Sequence, residues 1–479
     1  MTRNFSRPPY DIAIVGGGFT GAILAARLLR EIPDDVSVLL IERGNLLGRG
    51  IAYGTQYGWH LLNVPAASMS AVPDQPDHFL RWANANYDSA VGPESFVPRR
   101  VYGQYVESIL RDAIESNPGR FDSRQDEAIG IDRSSGLAKV LLRSGEIIEA
   151  RKVVLALGNL PPGDPSLPGK PAESSRYFPY AWSTAPLENV EGEREILLVG
   201  TGLTAVDTAI ALRGRNFTGT IHVLSRRGLL PRQHKPSPVW PPFWNENSPR
   251  TARGLLRLIR AQVKAALDLN IGWRSVFDSL RPFTAEIWQS LPLVEKRRFL
   301  RHARSYWEVH RHRVSPEIAG LIAHQLVSQE LRTHSGRILS YDENAHGVTI
   351  TYRDRRTQRT KTLRVDRVIN CTGPETDCRR LDHPLLASLR QQGLACPDEL
   401  FLGLRTASNG ALINTMGLAS DFLYAVGPAR KGQLWETTAI PEILDQISAL
   451  AKSLSDATAR EKSPRLNFEP LGEKFPLQL

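Results

Sequence analysis

The feature that most constrains this chain is a pattern written twice. In the first copy a hydrophobic strand, Asp11 to Val15, runs into Gly16-Gly17-Gly18-Phe19-Thr20-Gly21, and a helix follows from Ala22 to about Arg30. A second strand, Val36 to Ile41, ends at Glu42. A later hairpin (Ala138 to Leu142, Gly145, Ile147 to Ala150) leads into Val153-Val154-Leu155-Ala156-Leu157-Gly158. In the second copy the strand Ile196-Leu197-Leu198-Val199 turns through Gly200-Thr201-Gly202-Leu203-Thr204-Ala205 into a helix from Val206 to Leu212. The next strand, Ile221 to Leu224, ends at Ser225-Arg226-Arg227. A hairpin (Val348 to Tyr352, Thr362 to Val365) then leads to Val368-Ile369-Asn370-Cys371-Thr372-Gly373.

One glycine set between a strand and a helix can be a turn and nothing more. Two sets, each followed by a hairpin and a strand-then-glycine signature, predict two α/β dinucleotide-binding units. The first glycine permits the tight turn, and the second lets the backbone approach a diphosphate. The third position, Gly21 or Ala205, lets the helix pack close to the strand. The diphosphate then rests on the helix N-terminus, where free N–H groups and the dipole favour an anion. Gly16, Gly18, Phe19, Thr20, Gly21 and Gly158 are therefore candidate cofactor-binding residues in the first unit. Gly200, Gly202, Leu203, Thr204 and Gly373 are their counterparts in the second.

The copies part at the residue that tells nucleotides apart. Glu42, followed by Arg43, lies 21 residues past Gly21, where a carboxylate accepts hydrogen bonds from an unphosphorylated ribose such as that of FAD. The second copy has no acid there, only Ser225, Arg226 and Arg227, and arginine's planar fork matches a phosphate that a carboxylate would repel. The expectation is FAD in the first unit and NADPH, rather than NADH, in the second. The competing reading is a pair of arginines on an exposed strand end.

Composition narrows the class further. With 479 residues, two or three domains are expected. Three cysteines, Cys371, Cys378 and Cys396, form no C-x-x-C, which argues against thiol redox chemistry and for a reducing, cytoplasmic compartment. No apolar run is long enough to span a bilayer. Arg3 and Arg7 before the run from Ile12 imitate a leader, but Asp11 and the glycines break it, so it reads as the first strand. The net charge of +10 is concentrated: residues 226–335 hold 19 Lys or Arg against eight Asp or Glu. That invites NADPH, an acidic substrate or an anionic membrane surface, or is a solvated helical face. No nucleic-acid partner is expected.

Residues 231–330 read as a basic helical insertion carrying five of the nine tryptophans. Helices are predicted over about Arg250 to Asp268, Leu293 to Arg311, and Pro316 to Glu330, the last capped by Ser315. In the first, Arg253, Arg257, Arg260 and Lys264 share a face opposite Leu255, Ile259 and Leu267, the pattern of a helix docked on its own domain or on a membrane surface. His302, His310 and His312 do not have metal-ligand spacing, and no metal is expected. Arg311 or His310 could face a substrate.

The whole pattern resembles the flavoproteins with two Rossmann-like (GxGxxG) dinucleotide-binding domains, the glutathione-reductase and class B flavin-monooxygenase type, here with a helical insertion. More narrowly it is similar to the bacterial YdhS-like FAD/NAD(P)-binding proteins. That match is carried by Gly48-Arg49-Gly50-Ile51-Ala52-Tyr53-Gly54, Leu61-Leu62-Asn63-Val64-Pro65-Ala66, Pro98-Arg99-Arg100-Val101-Tyr102-Gly103-Gln104-Tyr105, His302 to Pro316, and Gly427-Pro428-Ala429-Arg430-Lys431-Gly432. The resemblance implies an FAD domain from 1–165 and 366–455, an NAD(P)H domain at 190–365 set between them, and a tail at 456–479. It also implies catalytic roles near the flavin for Asn63, Arg49, Arg99 and Tyr102. Gly427, Lys431, Gly432 and Trp435 are implied as further cofactor contacts, with a helix from Ala439 whose N-terminus faces the flavin. Two departures stand out. The strand Phe422 to Val426 ends in Gly427-Pro428 instead of Gly-Asp, and the stretch Tyr177 to Trp182 lacks the histidine of the class B fingerprint. The function expected is an NADPH-dependent monooxygenase, N-hydroxylating, using molecular oxygen on a small nucleophilic substrate. The alternatives are an NAD(P)H-dependent reductase without oxygen insertion, and a non-catalytic flavin-binding protein that docks an anionic partner or membrane.

Overall fold

The structure is a computed structural model that describes residues 8–32, 35–134 and 136–462. Arg3, Arg7 and the tail beyond Lys462 lie outside the described residues. The chain forms β1 (Tyr10–Val15), α1 (Phe19–Glu31), β2 (Val38–Glu42) and α2 (Arg99–Glu115), then β3 (Phe121–Gln125), β4 (Ala128–Ser134), β5 (Leu137–Leu142) and β6 (Ile147–Leu155). After a crossing come β7 (Tyr177–Phe178), β8 (Glu195–Val199), α3 (Leu203–Gly214) and β9 (Thr220–Ser225). The insertion follows as α4 (Ala252–Asp268), α5 (Leu293–His302), α6 (Arg304–Arg311) and α7 (Pro316–Val327). Then come β10 (Leu331–Asn344), β11 (Gly347–Asp354), β12 (Thr360–Val365) and β13 (Arg367–Asn370). The chain returns through β14 (Ala411–Ile413) and β15 (Ala419–Ala425) into α8 (Ile440–Lys462).

Among the described residues these strands make two sheets. One is ordered β14-β15-β6-β1-β2-β3, with the β4–β5 hairpin joined to β6; the other is ordered β12-β11-β10-β9-β8-β13-β7. The first sheet is thus built from both ends of the chain, and the second from the middle. In each, the strand that feeds the glycine loop lies between two parallel partners: β1 between β2 and β6, β8 between β9 and β13. Both faces of such a strand are buried, which is why β1 and β8 read as unbroken apolar runs. One face of the first sheet packs on α1, α2 and α8, and the other on Leu385, Leu386 and Leu389 of a short helix. Val206, Ile210 and Ile318 cover the second sheet.

Several expectations change. The helix expected over Leu293 to Arg311 is broken at Ala303. Phe299, Leu300 and Trp307 all pack on a cluster around Trp288 and Trp435, and the bend sets both pieces against it; packing overrides an uninterrupted helical run. Leu267, expected on the inward face of α4, is 57% exposed, and Leu256 is 42% exposed. Leu255 faces inward as the pattern requires. The last helix continues past residue 455 to Lys462, so the first residues assigned to the tail are helical.

The second sheet buries a pH-sensitive contact. His222 Nδ1 lies 2.9 Å from His334 Nε2, and His334 Nδ1 lies 3.1 Å from the Tyr352 hydroxyl. Two facing ring nitrogens can share one proton but not carry two. Burial first, then neighbouring cations, push both rings down to about 4. The unfolded chain therefore binds more protons than the native one between the ordinary histidine value and about 4, and stability falls as pH drops through that window. Thermal unfolding followed from neutral pH to pH 4 is expected to show a falling Tm, and His222→Gln with His334→Gln a flatter one.

Candidate active site

The two glycine loops have the same local architecture. Gly16 N donates to Ile41 O at 2.8 Å, and Gly200 N donates to Leu224 O at 2.8 Å. Gly16 has φ +106° and Gly200 φ +125°. A Cβ on Gly16 would lie 2.3 Å from Ala156 O, and one on Gly200 2.3 Å from Cys371 O. Glycine is required at both because the returning strand passes directly over the turn. The helices that follow start at Gly18 and Gly202, and neither has a side-chain cap. Their first-turn N–H groups are left for an incoming acceptor, the arrangement that a diphosphate satisfies.

The nucleotide-selecting positions are equally distinct. Glu42 Oε2 accepts from Gly17 N at 2.6 Å, and its Oε1 accepts from Gly44 N at 2.8 Å. The loop thus fixes the carboxylate while each oxygen keeps a lone pair. In the second unit Ser225 Oγ is 2.9 Å from Thr201 Oγ1 and accepts from Gly228 N at 3.0 Å. Arg226 is exposed. Arg227 donates to the Tyr306 hydroxyl and to His302 O, and its guanidinium stacks on the Tyr306 ring, 4.8 Å from the centroid. The arginine pair is divided: among the described residues Arg226 has no partner, while Arg227 ties the insertion to the strand end.

A single cleft of about 900 Å³ joins the two units and the insertion. Gly16, Gly18, Phe19, Thr20, Glu42, Arg43 and Gly158 line it from the first unit, and Leu203, Thr204 and Gly373 from the second. Arg49, Asn63 and Arg99 also reach it. The N-terminus of α8, at Thr438, Ala439 and Ile440, opens on the same space. Gly21 lies behind the loop, where a Cβ would meet Gly16 O at 1.8 Å. Gly200, Gly202, Ser225, Arg226 and Arg227 lie beyond the lining.

Five residues are placed elsewhere than expected. Tyr102 is fully buried, its ring 4.7 Å from Tyr53 and 5.0 Å from Phe79, and its buried hydroxyl has no partner among the described residues. Burial holds that phenol well above its ordinary range, so it packs the core under the cleft wall. Trp435 stacks on Trp288 at 4.9 Å, and Gly432 O accepts from Trp288 Nε1 at 2.8 Å. Lys431 lies over the Trp435 ring. These three hold the insertion against the first unit instead of reaching the cleft. Gly427 backs onto Thr20, while its neighbour Pro428 reaches the cleft.

Nothing in the sequence marks the contact that joins the two units along the cleft. Arg99 on α2 forms a two-pronged ion pair with Asp207 on α3, at 2.9 and 3.2 Å, and donates through Nε to Leu61 O. His60 Nε2 approaches Asp207 O at 3.3 Å, and Trp182 lies against both Arg99 and His60. Asp207 sits one helical turn past Leu203, a spacing that carries no signature. With the two side chains only 11% and 14% exposed, Asp207→Ala leaves a desolvated guanidinium, and a loss of about 3–5 kcal/mol is expected. Urea unfolding should report it, and Asp207→Leu with Arg99→Met should recover most of it. Arg49 is likewise held, at 2.6 and 2.8 Å, by Glu107. His234 rests beside Phe96, its ring pushed down to about 4 by burial and by Arg313. His310 Nδ1 donates to Tyr306 O at 2.7 Å, while His312 turns to Glu308 and Glu436.

All three cysteines are free, and burial pushes the Cys371 thiol up to about 12. Among the described residues no helix is long and apolar enough to cross a membrane.

Residues 13–160 match a protein family described as FAD-NAD(P)-binding. No curated protein matches the chain. Among solved structures the chain is similar to a cadaverine monooxygenase of desferrioxamine biosynthesis from Erwinia amylovora, bound to FAD. The two are 15% identical with a TM-score of 0.64, over 99% of this chain and 100% of that one. It is similar to an L-lysine 6-monooxygenase from Pseudomonas syringae (16%, TM-score 0.63, 94% and 99%). It is also similar to an ornithine N-hydroxylase from Kutzneria sp. 744 (14%, TM-score 0.61, 94% and 100%). The fold is that of the flavoproteins with two dinucleotide-binding domains.

Proposed function

We propose that the protein is an FAD-dependent, NADPH-using monooxygenase that hydroxylates the nitrogen of a small amine-bearing substrate. The observation that carries this reading is that both uncapped helix N-termini open on one cleft, whose third wall comes from the insertion. Two nucleotides held on those N-termini would meet there. The names of the structural neighbours, monooxygenases of cadaverine, lysine and ornithine, support the same chemistry. So does the absence of a cysteine pair, which a disulfide reductase needs.

The chain's residues fit both cofactors. Gly16, Gly18 and the first turn of α1 would hold the FAD diphosphate, and Glu42 its ribose. Gly200, Gly202 and the first turn of α3 would hold the NADPH diphosphate, and Arg226 its extra phosphate. FAD, once reduced, supplies activation of dioxygen. In balance, NADPH and a proton supply two electrons, one oxygen atom becomes the N–OH group and the other leaves as water. Arg99, Asp207 and Trp182 line the cleft, where they would help to keep water out and the reducing equivalents from being wasted as peroxide.

The narrower likeness to the YdhS-like proteins belongs to this proposal. Each of its five signature segments sends a residue to the cleft, among them Arg49, Asn63, Arg99, Arg311 and Pro428. We take residues 1–165 and 366–455 as the FAD unit and 190–365 as the NADPH unit, in a reducing compartment such as the cytoplasm.

The test is product analysis under isotopically labelled dioxygen, with purified holoenzyme, NADPH and a panel of amines and amino acids. Label in an N-hydroxyl product is expected. NADPH consumption that forms only peroxide with every substrate would favour a reductase, and no NADPH consumption would overturn the reading.

A further inference from the structure

The insertion's wall of the cleft contains an unbalanced charge. Arg281, in a single turn between helices, donates to Glu442 through Nε at 3.0 Å and Nη2 at 3.2 Å. Arg311, at the end of α6, donates to the same carboxylate through Nη2 at 2.7 Å. Two guanidinium groups therefore share one carboxylate, on the first turn of α8. The neighbouring Arg313 is matched by Asp278, at 2.8 and 3.0 Å. His312 turns toward Glu308 and Glu436. Lys235, exposed at the rim, adds a second cation.

Both arginines line the cleft, and Glu442 does not. Arg311 is only 11% exposed, and its buried Nε has no acceptor among the described residues. Among the described residues no acceptor engages Nη1 of either arginine. Burial alone would raise Glu442, yet Arg281 and Arg311 hold it below the ordinary carboxylate range. It is therefore ionised and already shared. A surplus cation in a desolvated wall, with donors unspent, favours a bound anion, and a planar guanidinium matches a carboxylate best.

We infer that the Arg281–Arg311 pair binds a carboxylate of the substrate, so that the enzyme acts on amine-bearing acids in preference to simple amines. This rests on the proposed monooxygenase reading. The structural neighbours include proteins named for either kind of substrate, and the arginine pair is what chooses between them here.

The experiment is equilibrium binding to the oxidised holoenzyme by calorimetry, with matched probes: L-lysine against cadaverine, and L-ornithine against putrescine, which differ only by the carboxylate. At least one acid is expected to bind about tenfold or more tightly than its amine, the range of one charge-assisted contact. Arg311→Met should erase that ratio while leaving FAD content and NADPH affinity unchanged. Glu442→Gln, which frees both guanidinium groups, should tighten acid binding; a variant that merely misfolds would weaken it. Amines binding as well as acids, no acid binding at all, or a ratio unmoved by Arg311→Met would each overturn the inference. Acid binding without label in any product would instead sink the monooxygenase reading and leave the carboxylate site standing.

Discussion

Gly21→Ala is expected to give a protein that does not retain FAD and unfolds well below the parent. A methyl group at this position would lie 1.8 Å from Gly16 O, so α1 must move away from β1. β1 and the inward face of α1 are buried, with Ile12, Ile14, Leu24 and Leu28 at zero exposure, and a core this full has nowhere to absorb the shift. The cost should reach the top of the roughly 1–3 kcal/mol range for overpacking. The diphosphate cradle moves with the helix. The flavin-to-protein absorbance ratio after gel filtration, with the Tm of the same fraction, measures both effects. The second unit provides the internal control, since Ala205 already carries a methyl group at the equivalent place and is buried without conflict. Normal FAD content in Gly21→Ala would mean that the first loop is not the FAD cradle.

Arg226→Glu should raise the KM for NADPH by about ten- to a hundredfold, from loss of a charge-assisted contact worth roughly 1.5–3 kcal/mol. The KM for NADH should stay nearly unchanged. The side chain is exposed one residue past β9, beside Ser225, which stands where the first unit carries Glu42. Substituting an acid sets a negative charge against the extra phosphate of NADPH. Arg227→Ala is expected to act differently. Its guanidinium is already occupied by Tyr306 and the His302 carbonyl, so its loss should loosen the insertion more than it alters coenzyme choice. Stopped-flow reduction of the bound flavin with each coenzyme separates the two. Equal losses with NADPH and NADH on Arg226→Glu would remove the assignment of that residue to the phosphate.

The sequence carried the fold well because the fold is local there. Strand, glycine turn and helix are contiguous in each copy, and Ala156 and Cys371 announce themselves as the ends of apolar runs. Glu42 is visible for the same reason, since its distance from Gly21 is set by one helix and one strand. The site is less legible where it depends on meetings between distant segments. Arg99 and Asp207 are 108 residues apart, and nothing in either neighbourhood marks the pairing. Tyr102 lies one turn past Arg99 on the same helix, yet Arg99 turns to Asp207 while Tyr102 enters a nest of aromatic rings, a division that no sequence spacing marks. Lys431, Gly432 and Trp435 follow a loop that resembles a cofactor contact, but the insertion's tryptophans cover it. Arg281 and Glu442 acquire their partnership only when α8 and the insertion are brought together.

The two passages between the sheets are bonded to each other: Glu375 N donates to Pro161 O at 3.1 Å, and Asn370 Nδ2 donates to Gly163 O at 3.0 Å. The consequence is kinetic as well as geometric. β15 must find β6 across a gap in sequence that would be a long, costly loop if the intervening chain were open. Once the second sheet has formed, however, its entry and exit lie side by side, and the search shrinks to that of a short connection. The middle of the chain acts as a clasp that the outer parts close upon. Damage to the clasp, even far from the FAD cradle, is then paid in the rate at which the first sheet assembles.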